Sequence, residues 1–362
     1  MVGLGRGRCA RRDTLYNIIA GKPRRSGATT EHQTSFSDVE YSSHGVTTKK
    51  EELLGQMDSL VPWAEWCAPM APFWHPAHPG KRGRRPVPVE TMPRVHLPRR
   101  RHDLPDVATE EATYDSRATP RFVGAGFSAG SQAPDPATPR EFRKCITDDG
   151  LGERMPESPD AILEGAGITM GGGSIIDATF VEAPGSTKNA SGSRDPEAHQ
   201  GKRGERWHFC YKAHTGVDAG GGLVHTVVVT PANASDISQA HKLFRPDDGF
   251  GCADAGYAGM GKREEFRRDP DLATTGFQIS ARPSSMGAKG DPAGWDKKIE
   301  RMKSAVRSKA GHPYQILKRR FGFGKTRHKG LEKNRQALDV RFALANLAMV
   351  ASAGRSLAPT AA

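Results

Sequence analysis

A chain of 362 residues, 36% apolar and 26% charged, allows one large domain or two ordinary ones, with 41 glycines and 26 prolines diluting the core. A formal net charge of +12 and a pI near 9.6 favour a polyanionic partner, nucleic acid before membrane, over a basic protein with no such partner. Five scattered cysteines (Cys9, Cys67, Cys145, Cys210, Cys252) without a C-x-x-C pair argue against a disulfide framework or structural zinc, and suit a reducing cytosol.

In chain order, residues 1–31 are rich in Gly, Arg and Ser and read as a disordered basic extension with no apolar core, hence not a signal peptide. "KKEELLGQMDSLVPW" predicts a helix with Leu53, Leu54, Met57, Leu60 and Val61 on one face and Pro62 stopping it. "GKRGRRP" (80–86) fits phosphate contact and equally a disordered basic loop. Residues 91–165 read either as a damaged helical domain or as linker. Pro93, Pro98 and Pro105 interrupt the helical spacing there, each interior proline costing about 3 kcal/mol.

From about residue 168 the pattern sharpens. "GSIIDATFVEA" (173–183) predicts a strand, "RWHFCYKAHTGVD" and "GLVHTVVVTPA" a hairpin, and "FGCADAGYAGMGKREEFRRD" a strand, a loop and a helix start. Residues 297–310 predict a basic helix. "LEKNRQALDVRFALANLAMVAS" predicts a final one with Leu338, Phe342, Ala345 and Met349 on one side, whose apolar part (342–353) is too short to span a bilayer. In "WHFCYKAH", Trp207, Phe209 and Tyr211 alternate with His208, Cys210 and Lys212, and the aromatics are expected in the core.

Asp177 follows two isoleucines in a buried strand, and Asp254 stands where a strand gives way to a Gly-rich loop. A charge in such a place is costly unless paired or metal-bound, and two carboxylates on neighbouring strands suit Mg²⁺; the alternative is that each caps a turn. Cys252 points to the same side of its strand as Asp254 and reads as packing.

"IIDATFVEAPGSTKN", "GKRGERWHFCYKAHTGVD", "HTVVVTPANASD", "ADAGYAG" and "HPYQILKRRFGFGKTRHKGL" together resemble the bacterial DDE transposases of the insertion-sequence-5 family. The resemblance is dense over 169–350 and weaker over 33–96. It implies an α/β fold, a ribonuclease H-like mixed sheet flanked by helices, preceded by an irregular, partly disordered helical region that binds DNA (32–165). The catalytic domain would span 168–353, with a short tail at 354–362. It further implies Mg²⁺-dependent cleavage and strand transfer (Mn²⁺ as the alternative ion), with DNA partners in the terminal inverted repeats and target, a homo-oligomeric assembly, no membrane, and a cytoplasmic, nucleoid-associated location.

Carried over by position, Asp177 and Asp254 are the first two catalytic acids. The third belongs to a pattern of Arg, three residues, Glu, six residues, Lys, and here that pattern reads Arg307, Gly311, Lys318. Glu300 is too far along the helix to replace it, and Gln315 carries no charge. The expectation is a transposase lacking its third acid, with Arg99 to Arg101 also standing where relatives hold apolar residues. Lys212, His214, Arg307, Lys318, Arg319, Lys325, Arg327 and Lys329 form the expected phosphate-binding set, against the alternative of a solvated helix face. Arg282 and Pro283 match a loop of unassigned role.

Overall fold

The computed structural model describes residues 47–61, 63–68, 70–74, 87–102, 104–124, 132–148, 170–281 and 294–357. Residues 1–31, Pro62, the 80–86 stretch, all of 149–165, Arg282 and Pro283 lie outside them.

Helix α1 (Lys49–Leu60) begins with a capping box. The Thr48 hydroxyl accepts from the Glu51 N–H at 3.2 Å, and the Glu51 carboxylate accepts from the Thr48 N–H at 3.1 Å. Val61 is already extended (φ −83, ψ 123), as a residue before proline is driven to be. Leu53, Leu54, Met57 and Val61 are buried, as the spacing predicts. After the short α2 (Trp63–Cys67), α3 (Thr91–His102) forms across both of its prolines. Pro93 sits in the first turn, where its missing N–H would have had no helical partner. Pro98 does forfeit a bond, but Met92, Val95 and Leu97 are buried and hold the helix by packing. With α4 (Asp106–Tyr114), α5 (Ala118–Val123) and α6 (Ala137–Asp148) following, the linker reading of this region fails for the described residues, which are helical.

The arginine run has two fates. Arg99 meets Asp106 at 2.8 Å, and Arg143 binds the same carboxylate at 2.6 and 3.0 Å. Although burial works against it, those two guanidinium groups hold Asp106 below the usual carboxylate range. Arg101 is different: its Nε and Nη1 are buried without a hydrogen-bond partner, and Arg320 adds repulsion to the burial that lowers its pKa. Its one compensation is the Phe321 ring, 5.7 Å away. Arg101→Leu is therefore expected to stabilise the fold by about 1–3 kcal/mol, read as a higher urea midpoint at unchanged slope.

The sheet comprises β1 (Ser174–Glu182), β2 (His199–Arg203), β3 (Arg206–Asp218), β4 (Val224–Pro231), β5 (Phe250–Ala253) and β6 (Gly276–Ile279). Its central order is β4-β3-β1-β5-β6, with β1, β3 and β4 antiparallel and β5 and β6 running parallel to β1. This is the mixed sheet of a ribonuclease H-like domain, as expected. The β3–β4 turn is closed by Lys309, whose Nζ donates to the Ala219 carbonyl at 2.5 Å and the Gly220 carbonyl at 3.0 Å. At Gly216, where the β3–β4 register shifts, a side chain would collide with the Leu243 carbonyl and the His225 ring, so only glycine fits.

Helices cover the sheet: α7 (Asp236–Gln239), α8 (Glu264–Arg268), α9 (Pro270–Thr274), α10 (Trp295–Arg307), α11 (Gly311–Gln315) and α12 (Leu331–Leu357). Leu338, Phe342 and Ala345 of α12 are buried and Met349 packs at the edge of the same cluster, as predicted. That cluster runs without a break from Leu53 and Phe122 of the N-terminal helices, through α12, to Ile175 and Val217 of the sheet. Ser174, His225 and Asp248 form a hydrogen-bonded trio, with 2.8 Å between the Ser174 hydroxyl and His225 Nε2. Ser174 is wholly buried, and burial drives the His225 pKa down to about 3, so the trio fastens β1 to β4 and is no nucleophile system.

One core expectation is corrected. Tyr211 is fully buried and Phe209 partly so, but Trp207 is 65% exposed. The alternation continues past the end of the layered sheet. Residues 206–208 pair only with β2, because the first β1-side bond is from the Ala183 N–H to the Phe209 carbonyl and pairing to β4 begins at Tyr211.

Candidate active site

Ser174 and Ile175 of β1 lie beside Gly251 and Cys252 of β5 in parallel register. The pairing ends there; Asp177 lies two residues further along β1 and Asp254 just past the end of β5, and the charge of Asp254 acts on Asp177. Asp254 is the cap of a short 3₁₀ turn, its Oδ1 accepting from the Gly256 N–H at 2.8 Å. Asp177 Oδ1 accepts from the Ala178 N–H at 2.9 Å. Among the described residues each carboxylate thus keeps one oxygen without a protein hydrogen bond. Burial first, and then the charge of Asp254, raises the Asp177 pKa, opposed by the Ala178 N–H and by Arg307. Cys252 is buried, as packing requires.

The helical stretch from α10 to residue 320 lies over β1. It passes Pro313 without a break, through a 3₁₀ turn at 308–310, α11 and a π turn at 316–320. Arg307, Gly311, Tyr314 and Lys318 are spaced four, three and four apart, which places them on one helical face. Three of them report where that face looks. Arg307 acts electrostatically on Asp177. The Tyr314 hydroxyl lies 2.7 Å from Thr215 Oγ1 and 3.3 Å from the Asp177 carbonyl oxygen. Lys318 Nζ donates to Thr179 Oγ1 at 2.7 Å. Gly311, between Arg307 and Tyr314, has an ordinary helical backbone (φ −73, ψ −21), and a Cβ built on it meets no atom within 4 Å.

Glu300 is engaged elsewhere. Its carboxylate accepts from Lys303 at 2.8 Å and from the Ala281 N–H, just past β6, at 3.0 Å. Gln315 is exposed. Asp236 at the start of α7 is a carboxylate that sequence reading missed. It contributes to the raised pKa of Asp177, yet it is held by Lys212 Nζ at 3.0 Å and approaches His214 Nδ1 at 3.7 Å. Among the described residues no group of three or more His, Cys, Asp or Glu side chains is disposed to hold a metal ion. Tyr257, also missed, buries its hydroxyl without a hydrogen-bond partner; burial first, then Asp236, Asp177 and Asp254, pushes its pKa up. Its sole signal was its place three residues after Asp254, whereas Tyr314 could have been found from its spacing to Arg307 and Lys318.

The expected phosphate-binding set divides. Arg307 and Lys318 act electrostatically with Asp177, and Arg319, Lys325 and Arg327 are exposed, the backbone of Lys325 pairing with that of Glu182 at the end of β1 in an isolated parallel bridge. Lys329 reaches the Ser193 carbonyl at 3.3 Å. Lys212 is spent on Asp236 and on the Ala234 carbonyl at 2.7 Å. His214 is corrected: it is wholly buried, its Nε2 2.8 Å from Thr230 Oγ1, with burial lowering its pKa to about 4, so it is closed off from any phosphate. No helix among the described residues is long and apolar enough to cross a membrane.

Comparison with known families gives two matches, in sequence order. Residues 43–145 match a transposase domain (DUF772), and residues 169–347 match a transposase DDE domain. No solved structure matches the chain. The segment holding Asp177, Asp254 and the Arg307–Lys318 face is the one matched to the DDE domain, so the chain carries the two domains of a DDE-type transposase.

Proposed function

We propose that this protein is an insertion-sequence transposase of the insertion-sequence-5 type, built for metal-dependent cleavage and strand transfer at element ends, with Gly311 standing at the position of its third catalytic acid. The observation that carries the reading is the face Arg307–Gly311–Tyr314–Lys318. Its Tyr314 and Lys318 reach β1 at the Asp177 carbonyl and Thr179, and open space stands where a side chain at 311 would begin.

Asp177 and Asp254 fit a Mg²⁺ ion, or Mn²⁺, in donor chemistry and in having one open oxygen each, but two carboxylates supply less charge and fewer ligands than three. When bound, the ion activates water or a 3′ hydroxyl for in-line attack on a phosphodiester and neutralises the leaving oxygen. The protein's own part is positioning. Lys318, steadied by Thr179, and Arg307 hold phosphates of the DNA strand, while the Tyr314 hydroxyl ties α11 to the backbone of β1 at Asp177. Helices α1 to α6 are the region that reads the terminal inverted repeats, and the working form is a homo-oligomer on DNA in the nucleoid.

The rival reading, a remnant that occupies element ends or blocks intact copies without cutting, is favoured by the absent side chain at 311. Both readings require DNA binding dominated by phosphates. On a duplex carrying the repeats that flank the gene, six to ten phosphate contacts would weaken affinity about 10³–10⁵-fold between 50 and 200 mM salt, measured by anisotropy. Binding insensitive to salt contradicts both.

A further inference from the structure

Strands β2 and β3 extend beyond the layered sheet as a two-stranded ribbon, His199–Arg203 paired with Arg206–Cys210 and turned at Gly204 and Glu205. Lys202, Arg203, Arg206 and Trp207 are all exposed. Cross-strand partners share a face, so Lys202 accompanies Trp207 on one side while Arg203 and Arg206 stand together on the other. Both faces of the ribbon's base meet the body: a Cβ at Gly201 would press on the Phe180 ring at 2.9 Å and on Ala232 at 3.1 Å, while Phe209 and Tyr211 pack on the other face. Arg203 and Arg206 stand at the tip, on the Gly201 face. The Arg203 charge adds to the burial that lowers the Lys318 pKa, so this arginine acts electrostatically on the lysine that donates to Thr179. Trp207 is 65% exposed, with Lys202 beside it as its cross-strand partner. An indole in that position contributes nothing to a core, and nothing in the described chain covers it.

We infer that the β2–β3 ribbon is a strand-holding arm for a DNA end, with Arg203 and Arg206 on the phosphates of the strand led to Asp177 and Asp254, and Trp207 stacking on an unpaired base. A ribbon of two strands fits the major groove, and base–aromatic stacking is indifferent to sequence because every base has a π-face. The inference rests on the DNA-binding reading above and adds a ligand class, the unpaired end, which duplex binding alone does not imply.

The test uses the full chain and fluorescein-labelled duplexes that are blunt, carry a 3′ tail of four thymidines, or carry a tail of four abasic residues. Trp207→Ala is expected to bind the thymidine-tailed duplex about tenfold more weakly than the unmodified protein while binding the blunt duplex equally. Trp207→Phe is expected to keep most of the tail affinity. On the abasic tail the difference between unmodified and alanine proteins should vanish, a result that loss of structure does not produce. Equal affinity of both proteins for the thymidine tail overturns the inference, as does an equal loss on all three duplexes. A change of oligomeric state at unchanged tail affinity would also overturn it, assigning Trp207 to a contact between copies. If the unmodified protein binds none of the duplexes, the DNA-binding reading itself falls and the ribbon's role with it.

Discussion

Gly311→Glu is expected to raise the affinity for Mg²⁺ or Mn²⁺ about 100-fold or more while leaving the fold intact. The backbone at 311 is helical and the position is open, so a side chain enters without displacing anything. Replacing glycine by glutamate within a helical stretch is itself worth about 0.5–1 kcal/mol. Against that stands repulsion from Asp177 and Asp254, so in chelator the two effects nearly cancel and the melting temperature barely moves. With the divalent ion present the repulsion becomes attraction. The loss of even an indirect partner of a metal ligand typically costs 10–100-fold in affinity, and a charged ligand contributes more. Calorimetric titration reads the affinity directly. The variant's melting temperature should rise with ion concentration, while the unmodified protein's hardly responds.

Asp177→Asn should have two effects of opposite sign. At neutral pH and without metal it should raise the melting temperature, because the folded state holds this carboxylate with a raised pKa and is penalised for ionising it. The sign follows from linkage. The penalty is full above the raised folded value, shrinks as pH falls through it, and is gone below the unfolded value of 3.8, so the advantage of Asn should fade in acid. Combined with Gly311→Glu, the same substitution should reduce DNA nicking on the order of 10³-fold, the several kcal/mol that a metal-held reaction centre supplies. A residue whose removal stabilises the fold and abolishes the chemistry is kept for the chemistry.

Much of this was legible in the residues. The β-branched run around Asp177, the Gly-rich loop after Asp254 and the apolar stripe of α12 are local patterns, and the structure follows them. The stretch from Arg307 to Lys318 was read as helical and is so, but its 3₁₀ turn at 308–310 and π turn at 316–320 gave no signal in the spacing. What the pattern hid depends on partners distant in sequence. Pro93 and Pro98 argued against α3, but Met92, Val95 and Leu97 bury against other helices, and packing outweighed the local penalty. The alternation in "WHFCYKAH" is real, yet a period of two cannot say where the second layer of the sheet ends, so Trp207 was assigned to a core that stops short of it. His214 carries an ionisable ring near a strand end, and only the β3–β4 register shows it sealed beneath Thr230. Asp236 gave no signal because its importance lies in Lys212 and Asp177, met across the fold.

The central claim is that Gly311 stands where a third metal-binding acid completes this site. Its most direct test is Mg²⁺-dependent nicking of a duplex carrying the flanking repeats, comparing the unmodified chain with Gly311→Glu under single-turnover conditions. Cleavage by the variant, suppressed by chelator, with the unmodified chain at least about 100-fold slower, is the predicted result. Equal cleavage by the two proteins would contradict it and place the third acid elsewhere.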